Sequence, residues 1–253
     1  MQITLVQAVL IALLAYVGAS TWVFGVGYFT VYRPLIGGTL VGLVLGDVTK
    51  GMQIGAAINA IYLGFISTGG SLPSDLIFAG YVGTALAMAA NLDAQTALAL
   101  VVPLGIIGSA TYFFRMAVDS FFVHWADAFA EQGNARAVGA VNIWAGQALQ
   151  FILTAVPVFL TVYYGAEPVQ RLIQNISQTW VAGLATVGGM LPAVGIGMLL
   201  NFMGKRHLIP YFLIGFLLAM YLDLPIIVIA LFGAAAAYLH IQYTGGMDHA
   251  SAS

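Results

Sequence analysis

LIQNISQTWVAGLATVGGMLPAVGIGMLLNFMG, residues 172–204, carries no charged side chain. A helix that crosses a bilayer needs about 20 mostly apolar residues, and this run exceeds that length. No water reaches the backbone in hydrocarbon, so only helices and closed barrels are stable there. The run lacks the polar–apolar alternation of a barrel strand, which leaves helix. Gly183, Gly188, Gly189, Gly195, Gly197 and Pro192 interrupt it. The expectation is therefore broken helices or re-entrant hairpins rather than one straight span.

The rest of the chain has the same character. Of its 253 residues, 61% are hydrophobic and 6% are charged, against roughly 25% charged in a typical soluble domain. Residues 1–32, 51–74, 94–114 and 137–166 are also free of charge. The first of these runs has no basic stretch ahead of it and reads as a retained membrane segment rather than a secretory signal. Gly18, Gly25 and Gly27 break it, while runs 34–46 and 76–92 are short for a span. Seven Lys+Arg against nine Asp+Glu make no basic stripe, which excludes nucleic-acid binding. With no cysteine there is no disulfide framework, thiolate metal site or redox dithiol. The fold class is an all-α polytopic integral membrane protein in the lipid bilayer, a single membrane-embedded domain over 1–253.

RMAVDSFFVHWADAFAEQGNAR, residues 115–136, is the one sizeable polar segment. Phe121, Phe122, Trp125 and Phe129 recur at helical spacing with Asp119, Asp127 and Glu131 between them. That suits a helix leaving the membrane or lying on its surface, and Gln132-Gly133-Asn134 is a stop signal. The segment reads either as a docking surface for a soluble partner or as a plain connection. It separates halves of about 1–114 and 137–244, with 245–253 as a short polar tail. Arg115 and Arg136 favour the cytoplasmic side.

Sliding the chain by 176 residues sets Pro34 on Pro210, Asp47 on Asp223, Ala60 on Ala236, Tyr62 on Tyr238 and Leu63 on Leu239. Lone aspartates and prolines are scarce here, and transporters often hold their substrate where internal repeats meet.

Enzyme constellations are missing: no nucleophile elbow, HExxH, Walker A motif or dinucleotide fingerprint is present. No two of His124, His207, His240 and His249 share ligand spacing, so neither metal nor cofactor is expected. Chemistry must come from polar groups inside apolar stretches, each of which needs a partner or a ligand. They are Gln7 on the first helix, Asn59 in IGAAINAIYLGF, the cluster Ser67, Thr68, Ser71, Ser74 and Asp75 in STGGSLPSD, Gln147 and Gln150 three apart on a later helix, and Asn201.

Amides, hydroxyls and a carboxylate with little cationic charge suit a neutral polyol, whose hydroxyls both donate and accept. Helix–helix hydrogen bonding is the competing use of the same groups. The substrate-binding candidates are Asn59, Asp75, Gln7, Ser67, Ser71 and Gln150. Asp47 and Asp223 each follow an apolar run and read as helix caps, with proton coupling as the alternative. Arg33-Pro34 reads as an interface anchor followed by a helix start.

The stretch YRPLIGGTLVGLVLGDVTKGMQIGAAINAIYLGF (32–65) resembles the signature region of the IIC membrane component of the mannose/fructose/sorbose-type bacterial phosphotransferase system. The likeness continues through Pro73–Asp75, HWADAFAEQGN, Leu149-Gln150, VGGMLPAVGIGMLL and IPYFLIGF at 209–216. It implies a multi-pass protein of the bacterial cytoplasmic membrane that passes a sugar inward together with a IID membrane subunit, as an oligomer of IIC–IID pairs. It also implies that cytoplasmic IIA and IIB domains carry the phosphoryl-transfer residues, so that this chain is not an enzyme by itself. The family fold implies an inverted repeat of broken helices moving as an elevator.

One position departs from the family. Mannose- and sorbose-type members usually hold glutamate where this chain has Asn59, on the helix that by resemblance faces the sugar. The amide brings an NH₂ donor in place of an acceptor-only group, which puts plain mannose in doubt and leaves N-acetylhexosamines, galactosamine, fructose or a disaccharide open. Two other classes compete: an ion- or proton-coupled secondary transporter using Asp47, Asp75 or Asp223, and a membrane scaffold with no solute path.

Overall fold

The structure, a computed structural model, describes residues 2–20, 30–63, 74–175, 177–203, 208–222 and 224–250. Helix is the regular structure of these residues, with no strand among them. They fall into two compact units, Met1–Leu199 and Leu200–Ser253.

The first unit opens with α1 (Leu5–Ala19), which starts at a capping box: the Thr4 side chain accepts from the Gln7 backbone N–H and the Gln7 side chain from that of Thr4. Its buried face is Ala8, Ile11, Ala12 and Ala15, a stripe at helical spacing. Pro34 begins α2 (Pro34–Leu45) in its first turn, where the missing N–H costs nothing. Gly46, at φ 89°, ends it, and Asp47 then caps α3 (Val48–Ile61) by accepting from Lys50 N–H at 2.9 Å.

These two helices touch backbone to backbone. A Cβ on Gly38 would lie 2.7 Å from Gly55 Cα, and one on Gly51 would lie 2.5 Å from Gly38 O and Gly42 Cα. Small residues at such spacing permit this close approach in lipid.

Phe78–Gly83 forms a π-helical turn that runs into α4 (Thr84–Ala89), and every residue from Leu76 to Ala89 is buried. A helix apolar on all sides belongs at the centre of a bundle. Asp93 caps α5 (Ala94–Glu131) through Gln95 N–H and Thr96 N–H. At 1.5 Å per residue, α5 is about 57 Å long, more than the roughly 30 Å hydrocarbon layer. The 115–131 stretch is thus the outward continuation of a spanning helix. It stops where the sequence signals a stop, at Gln132 and Gly133 (φ 68°), and Asn134 caps α6 (Ala135–Ala140). A second π turn, Val141–Ala145, leads into α7 (Gly146–Asn175), which carries Pro157 and Pro168 inside it.

Run 172–204 differs from the sequence expectation. After residue 177 it is one continuous helix, α8 (Gln178–Met203), with Pro192 inside. Two of its glycines are packing notches and none breaks it: a Cβ on Gly188 would overlap the Gln95 carbonyl, and one on Gly195 the carbonyls of Ala60 and Ile61. Residues 94–131, 135–171 and 179–201 are long and apolar enough to cross a membrane.

The second unit holds α9 (Ile209–Tyr221) and α10 (Ile226–Ala250), tied by a 2.8 Å hydrogen bond between Tyr211 Oη and His240 Nδ1. Helix continues into the 245–253 tail as far as Ala250. The 176-residue shift carries α2 onto the body of α9, and both helices have proline in the first turn. Asp223, the counterpart of Asp47, lies outside the described residues. The glycine contact has no second copy, because Gly38, Gly51 and Gly55 correspond to exposed Ile214, Ile227 and Leu231.

Candidate functional site

Asp75 is the centre of the site. Its Oδ1 accepts from Phe78 N–H at 2.8 Å, which caps the π turn, and its own N–H donates to the Gly105 carbonyl at 2.9 Å. Two glycines of α5 make room for this turn. A Cβ on Gly105 would collide with Ser74 Oγ and come within 2.8 Å of Tyr62 Oη; one on Gly108 would lie 2.9 Å from Asp75 Cβ. Tyr62 Oη and Ser74 Oγ share a 2.9 Å hydrogen bond beside it, which ties the end of α3 to the start of the turn.

A cavity of about 90 Å³ opens at Asp75, where one water takes about 10–15 Å³ by the same measure. Its polar lining is Tyr32, Asp75, Thr111, Tyr112, Arg115, Gln150 and Thr154. Gln150 arrives from α7 and donates through Nε2 to the Ala19 carbonyl at the end of α1. One turn earlier, Gln147 Oε1 accepts from Tyr16 Oη at 3.0 Å and Ser20 Oγ at 2.8 Å. The two glutamines, on one face as their spacing requires, latch α7 to α1 and hold one wall of the cavity.

Arg115 is the cavity residue that sequence reasoning missed. It follows an uncharged stretch just long enough to span, so it read as a residue at the water boundary. The helical spacing Gly108, Thr111, Arg115 was the available signal, because it sets the guanidinium on the face that packs on Asp75 and Phe78. The charge rests over the Tyr112 ring, 5.5 Å from its centroid, and Nε lies 3.7 Å from Asp119 Oδ2. That separation is too long for a hydrogen bond. Nε is buried and makes no hydrogen bond among the described residues.

The other candidates lie elsewhere. Asn59 is near the end of α3, one turn before Tyr62, and its Oδ1 is buried without a partner among the described residues. It does not line the Asp75 cavity. Gln7 has both ends of its amide engaged: Oε1 with Thr4 N–H and Oγ1, and Nε2 with the Val44 carbonyl at 3.2 Å. Ser67 and Ser71 lie outside the described residues. Asp47 is a helix cap, as its position suggested, in a polar hollow with Lys50, whose Nζ donates to Asn91 Oδ1 at 2.6 Å. No three His, Asp or Glu among the described residues are placed to hold a metal.

The cavity thus combines an acceptor carboxylate, guanidinium and amide donors, and hydroxyls that do both. Such a set is chemically suited to vicinal hydroxyls and demands no net charge on the ligand.

Comparison with known proteins gives one consistent answer. Residues 5–239 match the family described as the PTS system sorbose-specific IIC component. The mannose-specific EIIC component of Escherichia coli (strain K12) is 31% identical over 243 residues, which is 96% of this chain and 90% of that one. The N-acetylgalactosamine permease IIC component 1 of the same organism is 32% identical over 238 residues, 93% of this chain and 88% of its own length. Among solved structures, the mannose transporter ManYZ in complex with microcin E492 superposes with a TM-score of 0.60 at 30% identity, covering 96% of this chain and 97% of the matched one.

Proposed function

We propose that this chain, which belongs to the family of PTS sorbose-specific IIC components, carries a hexose, amino sugar or related sugar inward through the Asp75 cavity while a partner IIB domain phosphorylates it. As a member of that family it is a multi-pass protein of the bacterial inner membrane and a transport subunit, with no catalytic role of its own. The observation that carries the reading is the polar cavity inside an otherwise apolar bundle, lined by Asp75, Arg115, Gln150, Thr111 and Thr154. A hydroxyl pair donates to the Asp75 carboxylate, and the amide and hydroxyl groups opposite fix the ring's orientation. Charge-assisted bonds to a carboxylate are the strong ones in such a set.

Asn59 acts as a second contact. A buried amide oxygen without a partner among the described residues is satisfied when a sugar hydroxyl donates to it. Ser67 and Ser71, between Asn59 and Asp75 in the chain, supply two further hydroxyls for the sugar. Gln7 contributes when the sugar displaces one of its present partners. The halves of about 1–114 and 137–244 act as an inverted repeat that moves as an elevator, the first carrying the sugar-facing helix. The relative seen as ManYZ is a two-protein transporter, and by the same arrangement this chain pairs with a IID subunit, the pairs assemble further, and IIA and IIB supply phosphate from the cytoplasm.

The test is import by cells carrying the whole system, offered radiolabelled mannose, fructose, sorbose and N-acetylgalactosamine in turn. At least one enters, and its label is recovered inside as a phosphate ester. Label recovered as free sugar, driven by a proton gradient after phosphoenolpyruvate is exhausted, would instead mark a proton-coupled transporter with Asp75 as the proton site.

A further inference from the structure

We propose that Arg115 is the movable half of a partition on the sugar path, and that its guanidinium donates to the sugar as it crosses. The inference rests on reading the Asp75 cavity as the sugar site. A second hollow, of about 480 Å³, lies between the outer half of α5 and the α6–α7 corner. Among the described residues, Arg115 and Gln150 alone line both spaces. Among the described residues, these two side chains are what stands between the spaces.

The two are held unequally. Gln150 is anchored through Nε2 on the Ala19 carbonyl. Arg115 has the 3.7 Å ion pair with Asp119, the face of Tyr112, and a buried Nε with no hydrogen bond among the described residues. The carboxylates around it differ in side: Asp119 lines the outer hollow and Asp75 the inner cavity. A flexible arginine between two carboxylates, with a donor to spare, has a reason to swing when an acceptor arrives on the inner side. A sugar hydroxyl or ring oxygen is such an acceptor. Lysine reproduces this poorly, because its ammonium is a point charge without the planar fork that meets two acceptors in fixed geometry.

The chain contains no cysteine, so single introduced thiols report on the partition directly, in membranes holding the full chain with its IID partner. Thr154→Cys reports the cavity and Asn142→Cys the outer hollow. With Arg115 in place, a charged, water-soluble thiol reagent modifies the second much faster than the first. Arg115→Ala raises labelling at the cavity thiol about fivefold or more and leaves the hollow thiol unchanged. Asp119→Asn, which keeps the arginine and removes its outer partner, raises cavity labelling in the same direction. Unchanged cavity labelling in both variants overturns the partition.

Binding of radiolabelled mannose and N-acetylgalactosamine to the same membranes tests the contact. Arg115→Lys and Arg115→Ala weaken it by roughly tenfold or more, as loss of a charge-assisted hydrogen bond does. If Asp75→Asn loses binding while both Arg115 variants keep it, the contact is wrong and the sugar site stands. If neither sugar binds the unaltered complex and none of the panel is imported, the sugar reading fails, and thiol labelling still decides whether the partition exists.

Discussion

Gly105→Ala adds one methyl group where the structure leaves no room for it. The new Cβ collides with Ser74 Oγ and lies 2.8 Å from Tyr62 Oη, so the hydrogen bond between those hydroxyls cannot persist. The Asp75 turn must also retreat, although its N–H depends on the Gly105 carbonyl. Forcing a methylene into a packed site costs about 1–3 kcal/mol, and the lost hydrogen bond adds about 0.5–1.5 kcal/mol. Alanine's better helix propensity returns about 1 kcal/mol. The net is about 2 kcal/mol, which for a chain of this size lowers the thermal midpoint by about 4–8 °C.

The assay is thermal unfolding of the purified complex, with sugar binding measured on the same sample, because the displaced turn carries Asp75. Ser74→Ala removes the colliding oxygen, so the double variant Gly105→Ala, Ser74→Ala is more stable than Gly105→Ala alone, a coupling of neighbours that a mutant cycle isolates. Gly139, whose Cβ would meet nothing within 4 Å, tolerates alanine. An unchanged midpoint for Gly105→Ala, or no rescue by Ser74→Ala, refutes the packing argument.

Other outcomes follow from the same geometry. Gly51→Ala drives a Cβ into the backbone of Gly38 and Gly42. It separates α2 from α3 and lowers complex yield and midpoint at least as much as Gly105→Ala, whereas Ile227→Ala, its counterpart in the second hairpin, costs less. Asn59→Glu changes the rank order of binding among mannose, fructose and N-acetylgalactosamine, while Asn59→Ala lowers affinity by no more than about tenfold; an unaltered rank order removes Asn59 from the sugar site.

The Thr96 hydroxyl, ahead of backbone N–H groups, holds the Asp93 carboxyl below its usual range, so this cap stabilises above the unfolded value of about pH 4 and is lost as pH falls through the depressed one. Asp93→Ala therefore lowers stability at pH 7 by about 0.5–2 kcal/mol, as loss of a helix cap does, which is read as a lower thermal midpoint, and the difference closes in strong acid.

Much of this architecture was readable locally. Pro34, Asp47 and the Gly133-Asn134 turn start, cap and stop helices through their own backbone chemistry, and the charge-free runs can lie only in lipid. What was not readable depends on contacts across the sequence. Gly188 and Gly195 looked like breaks in a span because their partners, Gln95 and the carbonyls of Ala60 and Ile61, are far away in the chain. Asp75 and Gln150 were both legible as polar residues in apolar stretches, but nothing local said that one cavity joins them. Arg115 was hidden by its own charge, which marked it as a boundary residue until α5 proved long enough to carry it past Asp75. Gln7 carried the same polar signal as Gln150 and turned out to close a capping box, because the N-terminal motif of a helix and a ligand contact use the same amide.

Equilibrium binding of the imported sugar to the purified complex with Asp75→Asn decides whether this carboxylate holds the sugar. Asparagine keeps an oxygen to accept from Phe78 N–H, so the turn stays capped, and it removes only the charge. Exchanging a charge-assisted bond for a neutral one costs about 1–1.5 kcal/mol, so affinity falls by roughly tenfold per hydroxyl held, while assembly with IID and the thermal midpoint change little. Full affinity in an intact Asp75→Asn complex would contradict the account and place the sugar away from this cavity.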